Sequence, residues 1–163
     1  MKQIFKSALI VLFLSAFLCA GACRLAGKPK SICPKCAGSL TVDEITYGLD
    51  VDFGGKEKLV ILSGKENPYS SYYYFSGNTV RLKYDTLETE LEADALPDTN
   101  LALLTFRLLS ALEGEEVKWE REKESYHFSS KINNCYCAGE CDDAGKLLSF
   151  EVPEYQVYFK ANF

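Results

Sequence analysis

Residues 45–53 read ITYGLDVDF, and this stretch decides the fold class of the chain. Apolar residues at every second position alternate with Thr, Gly or Asp. Because successive side chains of a β-strand point to opposite faces, the alternation predicts a strand with one buried face. The following pair, Gly54-Gly55, predicts a tight turn, and residues 58–63 predict the returning strand of a hairpin.

The same kind of pattern continues to the end of the chain. Short clusters such as Ser76-Gly77-Asn78 separate the alternating segments, and a change of phase near Asp85-Thr86 indicates a turn or a bulge. About eight to ten short strands joined by tight turns predict an antiparallel meander. Further strands are predicted at residues 72–75, 80–84, 87–91, 117–121, 126–132, 135–141, 148–152 and 157–163.

One predicted helix, near residues 99–113, interrupts the strands. Asp98 is its predicted N-cap, and Gly114 ends it. The segment is apolar on most faces, which indicates a buried helix, and Leu104 and Leu108 are predicted to face the sheet. The helix either covers one face of the sheet or lies in the hollow of a curved sheet. The predicted fold is therefore α+β, a curved antiparallel β-meander, or half-barrel, with one buried helix.

The beginning of the chain predicts export. Two lysines, an apolar run at residues 8–18 and small residues at 20–22 precede Cys23, so residues 1–22 are predicted to be a removed signal peptide. The sequence Ala-Gly-Ala-Cys also resembles the lipobox of bacterial lipoproteins, in which the Cys thiol is acylated. It departs from that family at Ala20, where Leu is usual. We expect a lipid anchor at Cys23 on the extracytoplasmic face of the membrane. The alternative is a simple secreted protein that begins with Cys23.

Two regions of different charge follow the predicted cleavage site. Residues 23–38 carry four basic residues and no acidic residue, and they lack apolar periodicity, which is typical of a flexible tether. Six of the 18 Lys and Arg residues precede residue 39, so residues 39–163 carry 12 basic and 23 acidic residues. This predicted single domain is an improbable partner for nucleic acid, because phosphate binding needs a basic face.

The order of elements resembles the LolA-like half-barrel lipoproteins and carriers, especially small surface lipoproteins of Gram-positive bacteria. The residues that carry the resemblance are Ala20-Gly21-Ala22-Cys23, the entry Leu96-Pro97-Asp98 to a single helix, and the closing hairpin from Gly145-Lys146 to Tyr158-Phe159. The chain departs from many such carriers because no helix is predicted before its first strand. The resemblance implies a hydrophobic hollow for lipid or acyl chains.

The aromatic residues of the predicted sheet suggest where such a ligand would bind. One long helix cannot cover all of the aromatic surface that a curved sheet would present, so part of that surface is expected to line an apolar pocket. The competing interpretation is that the aromatic residues fill a solid core. The candidate pocket residues are Tyr47, Leu49, Val51, Phe53, Tyr72 and Tyr74.

Seven cysteines offer a different interpretation. Cys19 leaves with the signal peptide, and Cys23 is the predicted anchor. The other five are expected to form disulfides or to remain unused thiols. A second functional hypothesis is that they bind zinc. The last three are expected to share one face of a strand, where adjacent positions are too far apart for easy pairing. These five are Cys33, Cys36, Cys135, Cys137 and Cys141.

The sequence favours a protein without catalytic activity. His127 is the only histidine, and neither a phosphate-binding glycine motif nor a zinc-protease motif is present. We therefore expect a non-enzymatic binding module for an apolar ligand or a surface partner. The alternative is a thiol or zinc protein, with zinc as the only cofactor under consideration.

Overall fold

The chain is represented by a computed structural model that describes residues 27–65, 68–114, 117–132 and 134–162. The predicted signal peptide and Cys23 lie outside these residues. The described part contains eleven strands and one α-helix, α1 (Leu101–Glu113). The strands are β1 (Lys35–Val42), β2 (Ile45–Asp52), β3 (Lys58–Gly64), β4 (Ser70–Ser76), β5 (Thr79–Tyr84), β6 (Leu87–Glu92), β7 (Lys118–Glu122), β8 (Ser125–Ile132), β9 (Cys135–Asp142), β10 (Leu147–Val152) and β11 (Val157–Ala161).

All eleven strands belong to one antiparallel sheet, in the order β6-β5-β4-β3-β2-β1-β11-β10-β9-β8-β7. The chain therefore forms two meanders, β1 to β6 and β7 to β11. Pairing of the first strand with the last joins the meanders, with Gly38 opposite Ala161 and Val42 opposite Val157. The two edges of the sheet are β6 and β7, and the connection between them contains α1. The prediction of an antiparallel sheet with one helix is confirmed.

Alternation along the strands gives the sheet an inner face, which packs on α1, and an outer face. The helix contacts β3 and β8. Its Phe106 ring stacks on the ring of Phe75, with centroids 4.2 Å apart. Leu104 and Leu108 are both buried, as predicted. The core therefore lies between one helix and the inner face.

Two inner-face glycines allow aromatic rings to lie directly against the sheet. A Cβ atom at Gly38 would collide with the carbonyl oxygen of Lys160 and the ring of Phe159. A Cβ atom at Gly139 would likewise meet the ring of Phe128 and a neighbouring carbonyl. Glycine is required at both positions because the rings occupy the space that any side chain would need.

The predicted tether extended too far along the chain. It was expected to reach residue 38, whereas β1 begins at Lys35 and Cys36 is only 7% exposed. The preceding residues are also held in place, since the amide of Cys33 donates to the carbonyl oxygen of Gly145 at 2.8 Å. The small inner-face residues Cys36 and Gly38 gave this strand no visible apolar alternation, so the sequence did not predict it.

The start of the helix also differs from its prediction. Asn100 is the N-cap, and its side chain accepts from the amide of Leu103 at 3.0 Å. The predicted cap, Asp98, instead forms a 2.7 Å salt bridge with Arg107. The change of strand phase near residue 85 is a turn, in which Asp85 has a φ of 51°. Within the described ranges, no helix has the length and apolarity needed to cross a membrane.

Candidate functional site: the inner face of the sheet

The inner face is largely buried over the second meander. Phe128 of β8, Cys137 of β9, and Phe150 and Phe159 of the last two strands are all buried. The rings of Phe150 and Phe159 stack with centroids 5.1 Å apart, and Trp119 packs on Phe128 at 5.5 Å. We call the strands β8 to β11 the closed half, because most of the large side chains on their inner face are buried.

The inner face of β3 to β6, which we call the open half, is only partly covered. Besides Leu91, five large side chains here are partly exposed, and one of them, on the edge strand β6, is 70% exposed. Residues directly opposite each other in an antiparallel pair project from the same face, and the register therefore places all five on the inner face. We call this set the open strip. It consists of Leu62, Tyr73, Leu82, Tyr84 and Leu87.

The open strip begins where the helix stops covering the sheet. Phe106 of α1 contacts Phe53 at 5.8 Å and stacks on Phe75. The ring of Tyr73, two residues before Phe75 on the same face, lies nearly parallel to the Phe75 ring, with centroids 6.4 Å apart. Tyr84, at the far end of the strip, meets Tyr69 edge-on at 6.0 Å. The exposed apolar surface is therefore continuous with the buried core rather than isolated from it.

The predicted pocket residues divide between the two faces. Tyr47 is partly buried on the inner face, while Leu49, Val51 and Phe53 are buried within the core. Tyr72 and Tyr74 lie on the outer face, where Arg81 stacks over the Tyr74 ring at 4.3 Å. The six residues therefore do not form one site.

The correction at these tyrosines has a simple cause. The run 72–75 is aromatic at every position, so alternation cannot tell which residues face inward. The structure gives the inner positions to Tyr73 and Phe75. The neighbouring strand indicates which residues face inward. Its apolar Val80 and Leu82 alternate with Arg81 and Lys83, and they lie opposite Phe75 and Tyr73.

The five described cysteines are all unpaired. Cys33 and Cys135 are partly exposed, whereas Cys36, Cys137 and Cys141 are buried. Burial disfavours the thiolate and raises the pKa of Cys36 and of Cys141 to about 12. Burial also raises the pKa of Cys137 to about 11, although its thiol donates to the carbonyl oxygen of Ser130 at 3.4 Å. Thiols in this state are weak nucleophiles and weak metal ligands.

The described residues do not provide the set of ligands that the zinc hypothesis requires. Among the residues that the structure describes, no three His, Cys, Asp or Glu side chains come together in a way that could hold a metal ion. Cys135 and Cys137 share the inner face of β9 with Cys141, as their spacing predicted. Their shared face lies in the core, where the neighbouring groups are apolar rather than coordinating.

His127 lies on the outer face of the closed half, away from the helix. Its Nε2 atom is 3.6 Å from an oxygen of Glu122, and the side chain is 45% exposed. A shallow hollow of about 400 Å³ beside it is lined by polar groups, including Glu120 and Glu140. The arrangement is that of a solvated surface, and it agrees with the expectation that His127 faces water.

No family model, curated protein or solved structure significantly matches the chain. The resemblance to half-barrel carriers therefore stays a prediction from the sequence, and the function has to be argued from the open strip itself.

Proposed function

We propose that this chain is an exported, lipid-anchored binding module that holds an apolar ligand on the open strip without catalysing a reaction. One observation carries the proposal. A half-exposed apolar surface lies on the inner face of the sheet and is continuous with the core. Soluble domains rarely leave such a surface uncovered unless something binds there.

The chemistry of the strip favours an unbranched hydrocarbon chain over a polar ligand. Its five side chains are aliphatic or aromatic, and tyrosine hydroxyls are their only polar atoms. Each CH₂ group of an acyl chain removed from water contributes about 0.8 kcal/mol. An acyl chain of ordinary length, with part of it in contact, would therefore bind with micromolar affinity after the entropic cost of ordering it.

The first described residues limit how far the folded domain would lie from the proposed anchor. Pro29 is buried, and β1 begins at Lys35. Only residues 23–28 would then separate the proposed lipid from the folded domain, and six residues span at most about 20 Å. The end of the sheet that contains Lys35 would therefore lie close to the membrane, within reach of its lipids.

The ligand proposal is tested with the secreted Cys23→Ala chain and an environment-sensitive fluorescent fatty acid. We expect saturable binding at micromolar protein. Leu82→Asn and Leu87→Asn each remove apolar contact, so each should weaken binding at least about fivefold, which corresponds to about 1 kcal/mol. Tyr158→Asn is the matched control, because Tyr158 is also exposed but lies on the outer face of β11.

Two outcomes would contradict the ligand proposal. One is an absence of saturable binding by a chain that still unfolds cooperatively. The other is an equal loss of affinity in the Tyr158→Asn control, since this would place the fluorescent probe away from the open strip.

The anchor is tested separately by cell fractionation. We expect Cys23→Ala to release the protein from the membrane fraction and to abolish labelling by a radioactive or clickable fatty acid. Cys33→Ala is the matched control and should retain both properties. If the Cys23→Ala protein stays in the membrane fraction, the anchor lies elsewhere in the chain.

A further inference from the structure

The outer face of the open half carries a second apolar surface, separate from the open strip. Leu59 and Ile61 project from β3, and Tyr72 and Tyr74 project from β4. Leu59 lies opposite Tyr74, and Ile61 lies opposite Tyr72. All four are partly exposed, and no helix covers this face in the described part of the chain. We call these four residues the outer quartet.

Charged residues flank the outer quartet in a regular order. The strand on one side, β2, contributes acidic residues, and the strand on the other side, β5, contributes basic residues. Each row across the four strands therefore reads acid, aliphatic, tyrosine, base. The rows are Asp50-Ile61-Tyr72-Lys83 and Asp52-Leu59-Tyr74-Arg81.

A row in this order is complementary to a second copy of itself. A twofold axis that lies in the interface, parallel to the strands and between β3 and β4, exchanges the two ends of each row. Each acidic residue of one copy then faces a basic residue of the other, and each aliphatic side chain faces a tyrosine ring. A twofold axis perpendicular to the strands would instead place Asp50 against Asp52, and like charges repel.

We propose that the outer face of β2 to β5 is a homodimer interface, in which two copies pack the outer quartet face to face about a twofold axis parallel to the strands. The occupant of this surface is a second copy of the chain because the charge pattern fits the same pattern rotated by half a turn.

The charges needed for this interface are accessible. Asp50 and Lys83 are exposed, and no salt bridge joins either of them to another described residue. In the other row, Asp52 pairs with the exposed Lys35 at 2.7 Å. Arg81 pairs with two exposed carboxylates while it stacks over Tyr74. Exposed ion pairs are weak, so these side chains can exchange partners when a second copy binds.

Two shallow hollows flank the outer quartet. A hollow of about 480 Å³ lies beside Leu59 and Ile61 and includes both acidic residues of the rows. A hollow of about 470 Å³ lies beside Tyr72 and Tyr74 and includes Lys83. Both hollows lie at the proposed interface, where side chains of the second copy would enter them.

The same symmetry suits two chains in one membrane. Lys35 lies opposite Asp52 at one end of the sheet, and a twofold axis parallel to the strands keeps both Lys35 residues at the same end of the dimer. Under the anchoring proposed above, both lipids would enter the same bilayer. Eight side chains per copy form a small interface, so we expect micromolar dimerisation in solution and tighter association of chains confined to a membrane.

The experiment measures the mass of the secreted Cys23→Ala chain by sedimentation equilibrium, without fatty acid or vesicles, so its outcome is independent of ligand binding and anchoring. We expect a monomer–dimer equilibrium in the micromolar range. Lys83→Asp and Asp50→Lys each change two symmetry-related contacts, so each should raise the dimer dissociation constant about tenfold. The double variant exchanges the charges and should restore the dissociation constant.

Matched controls separate contact from net charge. Lys160→Asp and Glu151→Lys make the same charge changes on outer-face positions of β11 and β10 and should leave the dissociation constant within about twofold. Three results would overturn the proposal: a chain that is monomeric at hundreds of micromolar, a double variant that dimerises no better than the single variants, and controls that weaken the dimer as strongly as Lys83→Asp.

Discussion

The closed half and the open half are built from the same kind of strand, yet the inner face of the closed half is more deeply buried than that of the open half. In the closed half, Phe128 and Phe159 lie directly on glycine residues of neighbouring strands. In the open half, Phe106 of the helix stacks on Phe75 of β4, and side chains nearer the β5–β6 turn stay partly exposed. A 13-residue helix is about 20 Å long, whereas eleven strands span about 48 Å from edge to edge when flat. One helix therefore leaves part of the inner face for another use.

The largest contrast is expected for aromatic truncations in the two halves. Phe159→Ala should lower the free energy of unfolding by about 3–5 kcal/mol, because it leaves a cavity in the closed half. Tyr73→Ala removes a ring that is already partly in water and should cost about 1 kcal/mol. Urea denaturation of both variants measures the difference. Equal costs would show that the inner face of β4 is as well packed as that of β11.

A slightly smaller effect is expected in the helix, which contacts both halves. Leu104→Ala and Leu108→Ala should each cost about 2–5 kcal/mol, because both side chains are buried against the sheet. The exposed Ser110 provides a control on the same helix, and Ser110→Ala should change stability by less than about 0.5 kcal/mol. A cost below that value for either leucine would mean that the helix does not hold the halves together.

Alkaline pH is expected to weaken the closed half more than the open half. The pKa values of Cys137 and Cys141, about 11 and about 12, exceed the usual thiol value of 9.0, whereas β3 to β6 contain no cysteine. A thiol whose pKa is raised by folding contributes fully to stability below the unfolded value. Its contribution is lost as pH rises from about 9 towards the folded value, at up to about 1.4 kcal/mol per pH unit.

The check is urea denaturation in steps from pH 8 to pH 11 under reducing conditions. The double variant Cys137→Ala/Cys141→Ala should show a shallower decline of stability across this range than the unsubstituted chain. If the free energy of unfolding declines equally with pH in both proteins, deprotonation of these two thiols is not the cause of the decline.

The sequence predicted most of the strands because half-buried strands alternate visibly, as residues 45–53 do. It predicted the helix for a comparable reason, a continuous apolar segment between a cap and a glycine. β1 escaped prediction because its inner positions, Cys36 and Gly38, are small. The open strip was not predicted, because the part of the inner face that stays exposed depends on where the helix lies across the sheet. That position is set by contacts between distant segments, which no local pattern records.

The pairing of β1 with β11 has a consequence for how the protein is synthesised. Five residue pairs, from Gly38–Ala161 to Val42–Val157, join β1 to β11, so one side of β1 stays unpaired until residues 157–161 have been synthesised. An unpaired strand edge can recruit the edges of other chains. A nascent chain that lacks β11 therefore exposes an edge that can aggregate, and loss of residues 157–161 would split the sheet at its centre rather than shorten it at one side.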